Sequence, residues 1–119
     1  MNTQEFVNAV RTAVYDAAAK GTVAVLKRPP GRRPDAEMLR LSDWYKRLNS
    51  EDRENLSRLV DMAASQTTYN FLLILDGLLA VEPAGTKGKL ELFYDDGKTR
   101  TRLNDENANQ LSFLFKQTD

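Results

Sequence analysis

Histidine and cysteine are both absent from the 119 residues, and the two absences remove much of the usual catalytic repertoire. Without cysteine there is no disulfide, no thiolate nucleophile and no thiolate metal site. Without histidine the commonest general base and metal ligand is missing. Ser42, Ser50, Ser57, Ser65 and Ser112 therefore lack their customary activator. Long apolar runs are missing too. The longest, Phe71 to Leu75, falls far short of the roughly 20 residues that a membrane helix needs. Arg11 and Asp16 interrupt what a secretory leader would require to be apolar, so the expected compartment is the cytoplasm. An excess of charge of either sign is also lacking. Lysine plus arginine and aspartate plus glutamate number 17 each, which argues against a long-range pull on nucleic acid or on a cationic partner.

What is present suits one domain, residues 1–119, with 41% apolar residues for a core and 29% charged residues for the exterior. Phe6, Val10, Ala13, Val14 and Ala17 recur at helical spacing, with Asn2 and Glu5 as a capping pair and Lys20-Gly21 as a stop. Thr22 to Leu26 is rich in β-branched residues and reads as a short strand. Residues 27–34, Lys27-Arg28-Pro29-Pro30-Gly31-Arg32-Arg33-Pro34, forbid both a helix and a central strand, and form a basic loop.

Asp35 or Ser42 can cap a helix that carries Met38, Leu41, Trp44, Tyr45 and Leu48, with Trp44-Tyr45 read as core. Asn49 and Ser50 open another, whose first turn holds Glu51, Asp52 and Glu54 at the positive end of the helix dipole. The all-apolar run Phe71 to Leu75 is expected to be buried, and Asp76-Gly77 to end the helix.

Past residue 77 the period changes from helical to alternating. Lys89 to Tyr94 and Thr99 to Leu103 read as a hairpin closed by an Asp96-Gly97 turn of type I′, with Asp95 facing Lys98. Leu90, Leu92 and Tyr94 then share the core face, while Phe93 opposes Arg100 on the outer face. Leu78 to Glu82 offers a third strand before the loop 83–88. Asn104 is expected to cap a final helix bearing Ala108, Leu111, Leu114 and Phe115. The fold class is therefore α+β: a helical N-terminal two-thirds, a small antiparallel hairpin or three-stranded meander, and a short C-terminal helix.

No motif for chemistry emerges. Gly85-Thr86-Lys87-Gly88 has the letters of a phosphate loop without its spacing, and reads as a connection. Asp95-Asp96 is the one acidic pair that suggests a divalent ion, and its residue types fit a turn better. We expect no catalytic residue, no cofactor and no metal. The candidate partner-binding residues are Phe93 and Arg100, an aromatic and a cation on an outer strand face, and Arg28, Arg32 and Arg33 of the basic loop.

Trp44-Tyr45 with Leu48 and Glu51-Asp52-Arg53, then Phe71, Leu75-Asp76-Gly77, Gly88-Lys89-Leu90-Glu91-Leu92, and Leu103-Asn104-Asp105 with Leu114-Phe115 form a pattern. It resembles a family of small uncharacterised bacterial domains, over Trp44 to Phe115, and by fold and size it is similar to immunity proteins that neutralise toxins. The resemblance implies a non-enzymatic, cytoplasmic protein-binding module, an immunity or antitoxin-like inhibitor of a bacterial effector, whose partner is a protein rather than nucleic acid or membrane. The alternative is a nucleic-acid-associated regulatory accessory protein that uses the basic loop. A carboxylate-dependent enzyme ranks third. A ligand that binds only the native state raises its melting temperature by mass action. Millimolar magnesium, calcium, zinc or ATP should therefore leave the thermal transition unmoved, and a clear upward shift would overturn the expectation of no cofactor.

Overall fold

The computed structural model describes residues 1–85 and 88–117. It is mostly helical, with a two-stranded antiparallel hairpin and a short C-terminal helix, an α+β arrangement. The order is α1 (Thr3–Val10), a π-helical stretch (Arg11–Asp16), α2 (Ala17–Lys27), α3 (Ala36–Arg47), α4 (Ser50–Leu75), β1 (Phe93–Asp95), β2 (Arg100–Arg102) and α5 (Leu111–Gln117). The chain divides into two compact units, one of residues 1–12 and 66–119, the other of residues 13–65. No helix among the described residues is long and apolar enough to cross a membrane.

Helix starts follow the sequence. The Asn2 carboxamide accepts from the Glu5 N–H at 2.8 Å, Asp35 from the Met38 N–H at 3.3 Å, and Asn49 from the Asp52 N–H at 2.8 Å. Each satisfies an amide that the first helical turn leaves unpaired. Helix α4 ends as expected, with Gly77 at a φ of +77°, a conformation that costs other residues strain.

In the unit of residues 13–65, α2 does not stop at Lys20-Gly21, and Thr22 to Leu26 is helix rather than strand. A helical glycine costs about 1 kcal/mol against alanine, which packing of the buried Leu26 can offset. Thr22 is accommodated by donating its hydroxyl to the Ala18 carbonyl at 2.7 Å. The helix ends where proline forces it to: Arg28, at φ −146° and ψ 94°, stands before Pro29, a position that disfavours helical backbone. The basic loop follows as expected. Buried Ser42 donates to the Leu26 carbonyl at 2.6 Å, tying α3 to the end of α2. Tyr45 is buried, but Trp44 is 40% exposed, so the expectation that both are core holds for one only. Neighbours on a helix differ by about 100° in direction, and Tyr45 takes the inward place with Ser42, three residues before it. Arg53 closes α3 by donating to the carbonyls of Tyr45 at 3.2 Å and Lys46 at 2.6 Å.

The other unit buries Val7, Leu72, Leu103, Leu111, Leu114 and Phe115. The expected stripe of Phe6, Val10, Ala13, Val14 and Ala17 is not kept, and Val14 is exposed. The π-helical stretch winds with i→i+5 bonds, so a 3.6-residue period loses its phase there. Arg11 donates to the Phe115 carbonyl and lies over the Phe115 ring, 4.4 Å from its centroid. The run Phe71 to Leu75 is not buried throughout, since Phe71 is 60% exposed while Leu72 is inside. Leu78 to Glu82 forms no strand.

The hairpin register also differs. Asp95 pairs with Arg100, Tyr94 with Thr101 and Phe93 with Arg102, two residues from the expected pairing. A type I′ turn on Asp96-Gly97 needs positive φ at both residues, and among the described residues only glycines have it. The strands are instead joined through Gly97, at φ +88°, and Lys98, with the Lys98 and Thr99 amides bonded to the Asp96 carboxylate. A shift of two preserves which face each side chain occupies, because the strand period is two. The core face is nonetheless partial: Leu90 and Tyr94 are exposed, while Leu103 is buried.

Asn104 does not cap the last helix, and Ala108 lies before it in an exposed turn. Helix α5 begins at Leu111, and its cap comes from Asp76. That carboxylate accepts from the Leu111 N–H at 2.8 Å, the Ser112 N–H at 2.9 Å and the Ser112 hydroxyl at 2.6 Å. Gly21 has open space around the position a Cβ would take. Gly21→Ala should therefore stabilise the protein by about 0.5–1 kcal/mol, read as a higher urea midpoint at unchanged slope. A lower midpoint would sink the continuous α2.

Candidate functional site

The candidate residues fall in two places, one in each unit. In the unit of residues 1–12 and 66–119, Phe93 is 38% exposed and the Arg100 guanidinium lies 4.1 Å from its ring centroid. The pairing expected across the strands is thus a diagonal stack on the same outer face, a cation–π contact with apolar ring and charge both presented outward. Beside the base of the hairpin, a cavity of about 550 Å³ is bordered by Leu78, Leu79, Val81, Leu90, Arg102 and Asn104. The four aliphatic side chains are all exposed. The rim is polar: Lys89 and Glu106 pair at 2.6 Å, and hydrogen bonding to the ammonium holds the Glu106 carboxyl below its usual range.

Asn104 organises this cavity wall. Its Nδ2 donates to the carbonyls of Leu75 at 2.7 Å and Leu90 at 2.9 Å, and its Oδ1 accepts from the Leu92 N–H at 2.9 Å and from Arg102 Nε at 3.3 Å. Opposite, the Glu82 carboxylate accepts from the Gly88 N–H at 2.6 Å. Of the loop Gly85-Thr86-Lys87-Gly88, Thr86 and Lys87 lie outside the described residues.

In the unit of residues 13–65, Arg28, Arg32 and Arg33 are all exposed on the loop after α2. Their guanidinium groups make no hydrogen bond or ion pair to the described residues. The same unit holds a groove of about 420 Å³ between α2 and α4, lined by Lys20, Val23, Ala24, Lys27, Ser57 and Asp61 among others. The Asp61 carboxylate accepts from the Tyr15 hydroxyl at 2.6 Å.

Among the described residues, no group of three or more acidic side chains is placed to hold a metal ion. Asp95 and Asp96 serve the turn. Asp95 Oδ1 accepts from the Gly97 N–H at 2.8 Å, and Asp96 Oδ1 from the N–H groups of Lys98 at 2.8 Å and Thr99 at 2.7 Å. Comparison of the chain with protein-family models, curated proteins and solved structures finds no match.

The aliphatic cluster and the α2–α4 groove are not among the candidate residues expected from the sequence. A signal existed for each. Leu78, Leu79 and Val81 follow a helix-ending glycine without the alternation of a half-buried strand. Lys20 and Lys27 stand seven residues apart with Val23-Ala24 between them, a stripe visible only once α2 is allowed to pass Gly21.

The two backbone N–H bonds, that of Thr99 first and then that of Lys98, hold the Asp96 carboxyl below its ordinary value of 3.8. A depressed folded-state value means the turn is stabilised by the ionised form. That contribution is present above the unfolded value and is lost as pH falls through the lower folded one. The Asp96 carboxyl carbon, followed by NMR, should therefore titrate with a midpoint below 3.8, and the Lys98 and Thr99 amide shifts should move with it. A midpoint at or above that value would remove the carboxylate from the turn.

Proposed function

We propose that the chain is a protein-binding module, most specifically an immunity or antitoxin-like inhibitor of a bacterial effector. The observation that carries the reading is the exposed aliphatic cluster Leu78, Leu79, Val81 and Leu90 on the border of one cavity. Scattered surface aliphatics need no explanation, but a contiguous group rimmed by polar residues is the composition of an interface centre. Here the rim is the Lys89–Glu106 pair with Arg102. The Phe93–Arg100 stack adds an aromatic and an arginine, two residue types over-represented where binding energy concentrates. The narrower inhibitor reading rests on likeness in fold class and size to immunity proteins, and the lack of histidine and cysteine chemistry agrees with a binding role.

The three loop guanidinium groups, unengaged among the described residues, favour a second reading, a nucleic-acid accessory. Against it stand the balanced charge and the lack of any aromatic among residues 27–34 on which a base could stack.

Purification from the native host should recover a protein partner in a fixed ratio that survives moderate salt. The double variant Leu79→Ser with Val81→Ser changes only exposed side chains, so it should fold normally while binding the partner at least about tenfold more weakly. Co-expression with the effector should relieve its toxicity. Tight nucleic-acid binding that vanishes when Arg28, Arg32 and Arg33 are replaced by alanine, with no partner recovered, would overturn the proposal.

A further inference from the structure

We infer that the α2–α4 groove in the unit of residues 13–65 takes an acidic amphipathic helix from a protein partner, a class of ligand that the protein-binding reading, on which this rests, leaves open. One face of α2 lines the groove. Lys20, Val23, Ala24 and Lys27 all border the groove, so one side of the helix reads cation, apolar pair, cation. Positions seven apart lie two turns, about 10.5 Å, from each other along the axis. A partner helix laid along the groove with carboxylates at positions i and i+7 meets both ammonium groups. Its side chains at i+3 and i+4 then meet Val23 and Ala24.

The groove's own charge favours that partner. Lys20 and Lys27 are exposed, and neither has an ion pair within the described residues. The anion on the facing wall, Asp61, already accepts the Tyr15 hydroxyl, and Ser57 presents a hydroxyl beside it. Lys27 continues into Arg28, so positive charge persists beyond the end of the groove. The small Ala24 lets a second helix approach closely, and interaxial distance depends on the side chains at the contact.

A nucleic-acid backbone satisfies the lysines equally well but brings no side chain for the Val23-Ala24 floor. An apolar floor between two cations therefore favours acidic protein over phosphate.

The test uses the whole protein and a labelled synthetic peptide, held helical by a staple on its outer face, with Glu at i and i+7 and Leu at i+3 and i+4. Its controls are the same peptide with Lys for Glu, a polyglutamate of equal length and a short DNA duplex, all near physiological salt. The acidic peptide should bind, and Lys20→Glu with Lys27→Glu should weaken it at least about tenfold while creating affinity for the Lys peptide. Val23→Asp should weaken the acidic peptide without favouring the Lys peptide equally, which separates the floor from the charges. Circular dichroism checks that each variant folds. Failure of the acidic peptide to bind, equal binding by the double-lysine variant, or equally tight binding of polyglutamate or duplex DNA would overturn the assignment. The double-lysine variant is also assayed against the partner recovered from the host. Retained binding there rejects the groove while leaving the protein-binding reading intact, whereas recovery of no partner at all counts against that reading itself.

Discussion

A carboxamide that is nearly buried must satisfy its donor and acceptor ends together, and Asn104 does so by touching three separate stretches of chain. It holds the last carbonyl of α4 at Leu75, the carbonyl of Leu90 and the amide of Leu92 ahead of β1, and the Arg102 side chain at the end of β2. A net hydrogen bond is worth about 1 kcal/mol, but a buried backbone group stripped of its partner costs roughly 1–3 kcal/mol. Three backbone groups depend on this one residue. Next to Leu75, Asp76 caps α5 through both carboxylate oxygens. The end of α4 therefore fixes the strand approach through one residue and the final helix through the next. Position of the aliphatic cluster follows, because Gly77 turns the chain directly into Leu78 and Leu79.

The unit of residues 13–65 is held by a different device. There the helix termini are closed by side chains from neighbouring elements, Ser42 on the Leu26 carbonyl and Arg53 on the carbonyls of Tyr45 and Lys46. The surface ion pairs Glu37–Arg40 and Glu54–Arg58 are well exposed and screened by solvent, so they contribute little. Direct bonds to carbonyls at helix ends matter more. They fix where α2 and α3 stop, and so the geometry of the groove that α2 shares with α4.

Local chemistry was legible in the sequence, and distant chemistry was not. Asn2, Asp35 and Asn49 were readable as caps because each acts on an amide three residues away. Gly77 was readable because a helix end there requires positive φ. The basic loop was readable because prolines forbid the alternatives. The misreadings share a cause. Whether α2 passes Gly21 depends on what Leu26 buries against, the place of Asn104 on residues 14 and 29 positions away, and the cap of α5 on a carboxylate 35 positions away. The hairpin register differs for a related reason: Asp-Gly in isolation favours type I′, while here the Asp96 carboxylate satisfies the Lys98 and Thr99 amides from outside the loop. Of the candidate site, Phe93 and Arg100 were legible as a pair because a two-residue shift keeps both on one face. The aliphatic cluster was not, because exposure is a tertiary property.

Charge balance limits how any partner is recognised. With 17 cationic and 17 anionic side chains, the protein has no net charge to draw a partner from long range, and steering falls to local patches. Discrimination then falls on contacts made after encounter, which act mainly through the dissociation rate. On the proposed protein-binding function, the exposed leucines and valine serve that purpose: each is about half exposed, so covering it recovers on the order of 1 kcal/mol of transfer energy that folding has left unused. In the proposed α2–α4 docking groove, Lys20 and Lys27 serve it differently. Two charges at fixed separation reward a matching pair and penalise a like-charged one, so they fix register and exclude wrong partners more than they add affinity. On the two proposals made above, an aliphatic cluster and a charged stripe with a narrow apolar floor are therefore complementary in role, the first supplying persistence and the second selection.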